Sequence, residues 1–433
     1  MQPKFLHSIH IPHYKNTEDS VPTRLPDPAF VAIPMSMHIG APSLPIVKPG
    51  DHVKLGQKIA EAQGNVSSPV HASISGVVKS IDTIRMPSGL VTQSITIEND
   101  GLREIDENIF PPTITDFQSF IDAVRESGIV GLGGAGFPTH VKLNVAPERV
   151  EYFIVNGAEC EPYITADTHT MVDNAKRILD GVEMLLRFYP KAKIIFGIEN
   201  NKPEAIRMMK RYSDKFDRCR VFALPSTYPQ GGERSLVYNT IHRVIPEGKL
   251  PIDVGCIVIN ATTLSFVGKY VRTGFPLTTK CVTVDGSAIK NPQNIIVPVG
   301  APIRNIIDAI GGFTEEPKKI LYGGPMMGMC STSLDHPIIK GTNAILCFTE
   351  KDARIPEPTA CIHCGRCADA CSMHLLPMEM EQARISGDLE RLKKLHVNLC
   401  MDCGSCAFSC PAKRNLVESH KLAKQMLREA AKK

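Results

Sequence analysis

The chain has 433 residues, of which 43% are hydrophobic, and a formal net charge of only +4. This length predicts three or four domains with cores of their own, and the weak charge argues against a nucleic-acid partner. No apolar run approaches the eighteen or more residues that cross a membrane, and Met1–Phe5 lacks the layout of a signal peptide. We therefore expect no transmembrane segment, and the unpaired pattern of the scattered cysteines indicates a reducing compartment.

After an N-terminal arm, residues 31 to 98 have the pattern of short β-strands separated by turns such as Lys48–Asp51. The segments KPGDHVKLGQKIAEA and SPVHASISGVVKSI resemble the barrel-sandwich fold of lipoyl and biotinyl carrier domains. Those carriers present a lysine at a hairpin tip, whereas the matching stretch Gly64–Pro69 contains none. We expect the fold without the swinging arm, serving either for docking or as plain structure.

From about residue 115 the pattern alternates between helix and strand, which predicts a parallel sheet covered by helices. Helices are expected over 115–127, 167–188 and 203–213, and apolar residues in the second of them keep a 3.6-residue period. Strands are expected at 150–155, 193–198, 220–224 and 257–260. Residues from about 280 to 346 become rich in strands again, with a short helix near 302–310 between them.

Near the C-terminus the spacing C-x2-C-x2-C-x3-C occurs twice, formed by Cys361, Cys364, Cys367 and Cys371 and by Cys400, Cys403, Cys406 and Cys410. In two-cluster ferredoxins the fourth cysteine of each run binds the other 4Fe-4S cluster. The predicted ligand sets are therefore Cys361, Cys364, Cys367 and Cys410, and Cys400, Cys403, Cys406 and Cys371. Zinc and disulfides are the alternatives, but zinc usually takes two pairs of ligands and would not explain the x3 step.

A helical segment over about 378–394 is expected between the two cysteine runs, and a basic helix over 417–433 at the end of the chain. This last helix could bind a partner or an anionic membrane surface, or it could be a solvated terminal helix.

The loop Gly131–Gly136 is the strongest candidate for a nucleotide site. Its four glycines would let backbone N–H groups approach a phosphate, although the loop is neither the dinucleotide fingerprint nor a P-loop. Phe137 could stack on a planar ring, and Lys142 lies within reach of a phosphate. Glu159 and Glu161 follow a strand, where ligands bind in α/β sheets, and they suit ribose hydroxyls or a flavin edge.

The segments GLGGAGFPTHVK and VNGAECEPYIT resemble the NADH- and FMN-binding subunit of respiratory complex I. The segment VTVDGSAIKNPQNIIVPVGAPI, with GGPMMG after it, is similar to the soluble-ligand-binding β-grasp (SLBB) domain. With a barrel-sandwich domain in front and paired cluster motifs behind, the chain resembles the RnfC family over nearly its full length. Members of that family are electron-input subunits of the membrane-bound Rnf complex, called Rsx in some bacteria.

The resemblance implies a non-covalent FMN that takes a hydride from NADH and passes single electrons to the two clusters. Carried over by position, the FMN phosphate and ribose would be held by Gly131, Gly133, Gly134, Gly136 and Lys142. The flavin would be lined by Asn156, Glu159 and Asn260, with Gly232 and Glu233 in a nearby turn. Phe137 and Glu161 would face the nicotinamide nucleotide. Two departures from the complex I subunit are Ala158, where that relative carries an aspartate, and the paired clusters in place of a single one.

The expected fold is a multidomain α/β chain, divided into a barrel-sandwich region (1–110), a flavin- and NADH-binding α/β domain (111–275), an SLBB-like β-grasp (276–350) and a helical ferredoxin-like module (351–433). The expected partners are membrane-embedded and ferredoxin-like Rnf subunits, at the cytoplasmic face of the bacterial inner membrane. One alternative is a soluble flavin and iron–sulfur reductase of the same superfamily, such as a cobalamin reductase or an amino-acid-reductase electron carrier. A non-enzymatic relay scaffold is the other.

Overall fold

The computed structural model describes residues 5–432, which form four domains in chain order. Residues 1–4, on which part of the signal-peptide expectation rests, and residue 433 lie outside this range. The domains are a β-sandwich, an α/β domain with a parallel sheet, a mixed-sheet domain and a small helical module. The multidomain α/β fold class expected from the sequence is confirmed.

Residues 5–20 form an arm that crosses several domains rather than belonging to the β-sandwich that follows it. Ile9 and Tyr228 exchange two backbone hydrogen bonds of 2.9 Å each, and the hydroxyl oxygens of Thr17 and Thr165 lie 2.6 Å apart. The arm is followed by a strand, β1 (Thr23–Arg24), which joins the sheet of the third domain.

The first domain is a sandwich of two antiparallel sheets around a core of valine, isoleucine and methionine side chains. Its strands are β2 (Phe30–Pro34), β3 (Leu44–Pro45), β4 (His52–Val53), β5 (Lys58–Glu61), β6 (Val70–His71), β7 (Gly76–Arg85) and β8 (Val91–Asn99). One sheet has the order β2-β8-β7-β4 and the other β3-β5-β6. In β2 the exposed Phe30 alternates with Val31 and Ile33, which are fully buried, as a half-buried strand requires.

The connection between β5 and β6 corresponds to the cofactor-bearing tip of the lipoyl-type carriers. Here it is docked instead of free, because Ser67 and Ser68 are fully buried and the Lys340 ammonium donates 2.7 Å hydrogen bonds to the carbonyls of Pro69 and Gly128. One lysine of the third domain thus connects this tip to the α/β domain.

The second domain has a four-stranded sheet whose strands are all parallel. Its elements are α1 (Phe117–Glu126), α2 (Thr139–Leu143), β9 (Tyr152–Gly157), α3 (Ala166–Asp173), α4 (Ala175–Phe188), β10 (Lys193–Glu199), α5 (Pro203–Ser213), β11 (Cys219–Leu224), α6 (Glu233–Ile241), β12 (Cys256–Asn260) and α7 (Ala261–Thr273). The strand order is β11-β10-β9-β12. Phe153 and Val155 of β9 enter a large core on one face, whereas Ile154 enters a smaller core beside α6 on the other.

One expectation about this domain was wrong. The single helix expected over 167–188 is two helices, α3 and α4, which meet at Asn174. Asn174 has φ −115° and ψ 23°, outside the helical region, so the chain changes direction there. The apolar period within α4 is unaffected, and its Ile178, Val182 and Leu185 are fully buried.

The third domain is built on a six-stranded mixed sheet with the order β1-β14-β13-β17-β15-β16. Its own elements are β13 (Thr279–Asp285), β14 (Gln293–Pro298), α8 (Ile303–Ala309), β15 (Lys319–Tyr322), β16 (Met329–Ser331) and β17 (Ala344–Phe348). The edge strand β1 pairs in parallel with β14, Thr23 opposite Ile295, so the arm completes a sheet whose other strands come much later in the chain.

The fourth domain contains α9 (Glu350–Ala353), α10 (Arg366–Asp369), α11 (Pro377–Ile385), α12 (Leu389–Lys394), α13 (Ser405–Phe408) and α14 (Leu416–Ala430). The helical segment expected over 378–394 is divided into α11 and α12 at Gly387, whose φ of 70° ends a helix. Across residues 5–432, no helix combines the length and the apolar character needed to span a bilayer.

Candidate functional site

The carboxyl ends of β9 and β12 lie where the strand order of the parallel sheet reverses, which is where open α/β sheets have their binding crevice. The chain leaves β9 for β10 on one side, while β12 lies on the other side. Asn156 and Asn260, near the ends of the two strands, are directly opposite each other in the register. Ligands of open α/β sheets bind at such switch points, so these two predicted residues mark the candidate site.

The Gly-rich loop between α1 and α2 closes over this crevice. The Gly131 N–H donates a 2.8 Å hydrogen bond to the carbonyl of Phe137, which makes the loop a closed turn. At Gly133 a Cβ atom would lie 2.4 Å from Asn260 Nδ2, so a side chain does not fit there. Gly134 faces open space, where a Cβ would meet nothing within 4 Å. The loop therefore combines close packing below with exposed backbone above, which is the shape a phosphate cradle needs.

The back of the loop rests on the β-sandwich. Gly136 has φ 65°, a conformation that favours glycine, and its carbonyl accepts a 3.2 Å hydrogen bond from the Ile39 N–H. A Cβ at Gly136 would lie 3.3 Å from the Met37 carbonyl oxygen. The next residue in the chain, Phe137, has a half-buried aromatic ring.

Lys142 and the turn before α6 lie on the same side of the crevice. The Lys142 ammonium is 3.3 Å from Glu233 Oε1 and donates a 3.0 Å hydrogen bond to the Val258 carbonyl. The Asn156 side-chain amide donates a 2.9 Å hydrogen bond to the carbonyl of Gly231. The structure thus brings together the Gly-rich loop, Lys142, Asn156, Glu233 and Asn260, which are far apart in the sequence.

Asp167 belongs to the same cluster, although the sequence analysis did not select it. Its carboxylate accepts a 2.6 Å hydrogen bond from Asn260 Nδ2 and a 2.5 Å hydrogen bond from the Thr262 hydroxyl. An acid in the first turn of a helix is usual, so its sequence context offered no sign of a further role.

Glu159 is buried and faces the start of α3. Its carboxylate accepts hydrogen bonds from the backbone N–H of Asp167 at 2.7 Å and from the Thr168 hydroxyl at 2.8 Å. Burial raises the pKa of the Glu159 carboxyl to about 6, although the Lys15 ammonium opposes this shift. Its expected place beside a flavin stays a prediction, since the contacts of its side chain are with the helix terminus.

Glu161 faces the third domain. Its Oε2 accepts a 3.1 Å hydrogen bond from the Met326 N–H, and a Cβ at Gly324 would lie 2.1 Å from that oxygen. Burial raises the pKa of this carboxyl to about 7, and within residues 5–432 its Oε1 is buried without a hydrogen-bond partner. An unpaired buried oxygen is suited to a ligand or water, but contact with a nicotinamide ribose stays a prediction.

Lys15 of the arm fixes the loop that carries both acids. Its ammonium donates three hydrogen bonds, to the carbonyls of Glu159 at 2.9 Å, Glu161 at 2.8 Å and Ile164 at 2.6 Å. Sequence reasoning missed this residue because nothing local distinguishes an arm lysine that acts 144 residues away from its own position.

The eight motif cysteines line two separate cavities in the fourth domain. Cys361, Cys364, Cys367 and Cys410 line the first, and Cys371, Cys400, Cys403 and Cys406 line the second. Each cavity thus combines three cysteines of one run with the last cysteine of the other, which is the crossed arrangement expected from the spacing. Ligation itself stays a prediction for the individual residues.

The cysteines of the described module are not arranged around a single metal ion. Among the residues that the structure describes, no three His, Cys, Asp or Glu side chains converge closely enough to hold one metal ion. Burial, and then the neighbouring thiols of Cys400, Cys403 and Cys371, raise the pKa of Cys406. Four thiolates around one apolar cavity therefore need a cationic metal centre beside them.

The second cavity adjoins the turn before α6 (residues 228–232), here called the flavin-site turn because it carries Gly232, which is predicted to lie near the flavin. The buried Tyr228 donates a 2.5 Å hydrogen bond from its hydroxyl to the Cys403 carbonyl, and a Cβ at Gly232 would lie 3.2 Å from Met401 Cε. A Cβ at Gly404 would lie 3.0 Å from the carbonyl oxygen of Met326, the residue that binds Glu161. The predicted Gly232 therefore lies between the crevice and the second set of cysteines.

Family comparisons match four segments in the same order as the domains. They are the RnfC barrel sandwich hybrid domain over residues 3–102, the Nuo51 FMN-binding domain over 124–269, the SLBB domain over 281–329 and the 4Fe-4S dicluster domain over 360–414. The expected cofactors, FMN and two 4Fe-4S clusters, are thereby confirmed.

Two curated relatives and one solved structure are similar to most of the chain. The C subunit of the Na(+)-translocating ferredoxin:NAD(+) oxidoreductase complex of Acetobacterium woodii is 42% identical over 428 residues, covering 97% of this chain and 96% of the relative. The proton-translocating counterpart of Clostridium ljungdahlii is 44% identical over 358 residues, covering 81% and 78%. An NAD+-reducing [NiFe]-hydrogenase in the air-oxidized state shares the fold at a TM-score of 0.50 and 19% identity, covering 72% of this chain and 63% of that one. With such identity along nearly its whole length, the chain belongs to the RnfC family, the C subunits of Rnf-type ion-translocating oxidoreductase complexes.

Proposed function

We propose that the chain is the electron-input subunit of a membrane-bound Rnf-type complex, oxidising NADH through FMN and supplying two 4Fe-4S clusters. Ion transport is coupled elsewhere in the complex, and the reaction is reversible with ferredoxin as the distant partner. The names of the relatives, as subunits of ferredoxin:NAD(+) oxidoreductase complexes, support this assignment.

The contact between the flavin-site turn and the second cysteine cavity carries the proposal. A bound flavin accepts the two electrons of a hydride together and releases them singly, as iron–sulfur acceptors require. Tyr228 and Gly232 lie on the turn before α6, and both reach the segment that holds Cys403. The cluster in the second cavity is therefore the one that accepts electrons from the flavin. The cluster in the more exposed first cavity passes them on to the next subunit.

The protein's own residues bind and orient the cofactors in this scheme. The phosphate and ribose are held by Gly131, Gly133, Gly134, Gly136 and Lys142. The ring is lined by Asn156, Glu159, Gly232, Glu233 and Asn260. Phe137 and Glu161 face the nicotinamide nucleotide. Because no bond is made to a side chain, none of these residues acts as a nucleophile.

The subunit docks peripherally at the cytoplasmic face of the bacterial inner membrane, against membrane-embedded and ferredoxin-like subunits. The rim of the first cavity supports this placement of the exit. Cys364 is exposed there, and the neighbouring Ile362 has 66% of its surface exposed.

An anaerobic NADH titration of the FMN- and iron-reconstituted full chain tests the proposal, with flavin absorbance and cluster EPR followed together. We expect the flavin to bleach and reduced-cluster signals to appear. A Cys406→Ala variant is the matched control, because its flavin should still bleach while the second-cluster signal is lost. Failure of NADH to bleach the flavin of the wild-type chain contradicts NADH input.

A further inference from the structure

A lysine of the β-grasp domain reaches the Gly-rich loop from below. Lys280, the second residue of β13, is 2% exposed, and its ammonium lies 3.3 Å from the carbonyl of Leu132. Leu132 is the second residue of the loop, two positions before Gly134, where a Cβ would meet nothing within 4 Å. The family resemblance and the sequence motifs assign no role to this lysine.

Lys280 adds to two further sources of positive potential at the same place. The N-terminus of α7, a helix of 13 residues, is capped by Asn260, which accepts a hydrogen bond from the Thr263 N–H at 3.1 Å. The Thr263 hydroxyl accepts a 2.9 Å hydrogen bond from the Leu132 N–H, so the loop sits directly on the helix start. Helix starts and exposed glycine amides favour anions, and the buried ammonium adds a full charge.

The charge of Lys280 is only partly balanced by the protein. Within residues 5–432 it forms no ion pair; the acid that attracts it, Asp167, already accepts hydrogen bonds from Asn260 and Thr262. Burial lowers the pKa of the Lys280 ammonium to about 8, because nearby negative charges do not fully compensate for the loss of solvation. A buried cation of this kind is stabilised by a nearby anion that the ligand itself brings.

We propose that Lys280 is a positioning residue whose buried charge selects the phosphorylated flavin, FMN, over riboflavin at the Gly-rich loop. The inference rests on the proposed flavin site and adds a third domain to it, since the selecting charge comes from the β-grasp. The phosphate of FMN is a dianion above its second pKa of about 6, whereas riboflavin carries no phosphate. A nearby positive charge therefore increases the affinity for FMN and leaves the contacts with the ring, which both flavins share, unchanged.

Lys340 provides a matched comparison. It comes from the same domain, is 1% exposed and also donates only to carbonyls, those of Pro69 and Gly128. Its charge lowers the pKa of His38 and His71 of the β-sandwich, whereas Lys280 is attracted by Asp167. Lys340 is therefore also a buried domain-joining lysine, but it binds the carbonyl of Gly128, before the loop, whereas Lys280 binds that of Leu132, within the loop.

The test uses the full-length chain freed of flavin, with FMN and riboflavin affinities measured by fluorescence quenching. Lys280→Gln retains a donor for the Leu132 carbonyl and removes the charge. We expect FMN binding to weaken about tenfold or more while riboflavin changes less than about twofold. Lys340→Gln should change both flavins alike. Equal losses of FMN and riboflavin in Lys280→Gln overturn the proposal, as does a wild-type chain that binds both flavins equally.

The proposed function fails separately, if the wild-type chain binds neither flavin. If Lys280→Gln does not fold, the wild-type chain still allows a test. Calorimetry at about pH 8.5 in two buffers of different ionisation enthalpy measures the number of protons taken up when each flavin binds. A phosphate beside Lys280 raises the pKa of this lysine again, so FMN binding should take up protons and riboflavin binding should not. Equal proton uptake with both flavins overturns the role of Lys280.

Discussion

The two cysteine cavities share one ligand spacing but lie in different surroundings. In the first, Cys364 is exposed and the rim includes the exposed side chain of Ile362. In the second, Cys406 is only 8% exposed, and the Cys403 carbonyl is hydrogen-bonded to the buried Tyr228. Identical motifs thus produce one site that faces solvent and one that faces the flavin domain. Because exposure and hydrogen bonding set cluster potentials, the difference predicts two distinct potentials from one repeated sequence.

Removing one cluster at a time tests this difference most severely. Cys406→Ala should abolish electron transfer from the flavin to both clusters, because the second site is the one that contacts the flavin domain. Cys364→Ala should leave reduction of the second cluster by NADH intact and abolish only transfer to an external acceptor. Freeze-quench EPR after mixing with NADH distinguishes the two outcomes.

The control for this pair is flavin bleaching, which should survive in both variants. If Cys364→Ala blocks reduction of the second cluster as completely as Cys406→Ala blocks it, the order of the clusters is the reverse of the one proposed here.

The rate of iron removal should also differ between the two sites, because solvent reaches them to different extents although their ligands are the same. Incubation with a chelator under anaerobic conditions should remove the first cluster faster, because solvent reaches Cys364 and the second cavity is more enclosed. Time-resolved EPR of the two signals follows each site in the same sample. Loss of both signals at one rate would show that a shared unfolding event, and not exposure, limits release.

Glu161, on the loop beside the second cavity, should make stability depend on pH. Folding raises the pKa of its carboxyl from about 4.5 to about 7, so the native state favours the protonated form. This contribution is fully present below about pH 4.5 and is lost as pH rises through about 7. Glu161→Gln should therefore be more stable than the wild-type chain at about pH 8.5, by about 1–3 kcal/mol, and nearly equal to it at about pH 4.

Chemical denaturation of the two proteins at both pH values measures this difference. Glu316→Gln is the matched control, because Glu316 is an exposed acid of the same β-grasp domain that Glu161 contacts. A Glu161→Gln variant that is less stable than wild type at the higher pH would mean that the ionised carboxylate is needed for the contact with Met326.

The smallest effect is expected at Tyr228. Tyr228→Phe removes one hydrogen bond to the partly buried Cys403 carbonyl, at a cost of about 1 kcal/mol of unfolding free energy. The EPR signal and potential of the second cluster should shift, while those of the first stay unchanged. Redox titration of both clusters in one sample provides the internal control, and equal shifts at both sites would contradict the difference in surroundings.

Local patterns in the sequence were sufficient for the features that depend on spacing. The crossed cysteine sets follow from C-x2-C-x2-C-x3-C, and the run of glycines at 131–136 predicted a loop with exposed backbone; the packing of Gly133 against Asn260 became visible only in the structure. Lys15, Asp167 and Lys280 could not be found in this way. Each acts through contacts with residues more than 90 positions away, and each has an ordinary local sequence.

The break at Asn174 was missed for a related reason. The helical spacing of apolar residues continues on both sides of Asn174. Such spacing alone cannot reveal a single residue whose backbone is not helical. Only part of the behaviour of the docked hairpin at Gly64–Pro69 could be predicted from the sequence. The missing lysine predicted the loss of a swinging arm, but the side chain that holds the hairpin comes from Lys340, 271 residues later.

The arm at residues 5–20 has a consequence for the order of events on the ribosome. The strand that follows it, β1, needs Ile295 and Ile296 as partners, and the ring of His7 packs 4.4 Å from that of His374. Domains generally fold as they emerge, so the β-sandwich can form early while the segment before it stays unpaired for most of synthesis. This early-translated segment is thus among the last to reach its final position, because it can pack only after the fourth domain has been synthesised.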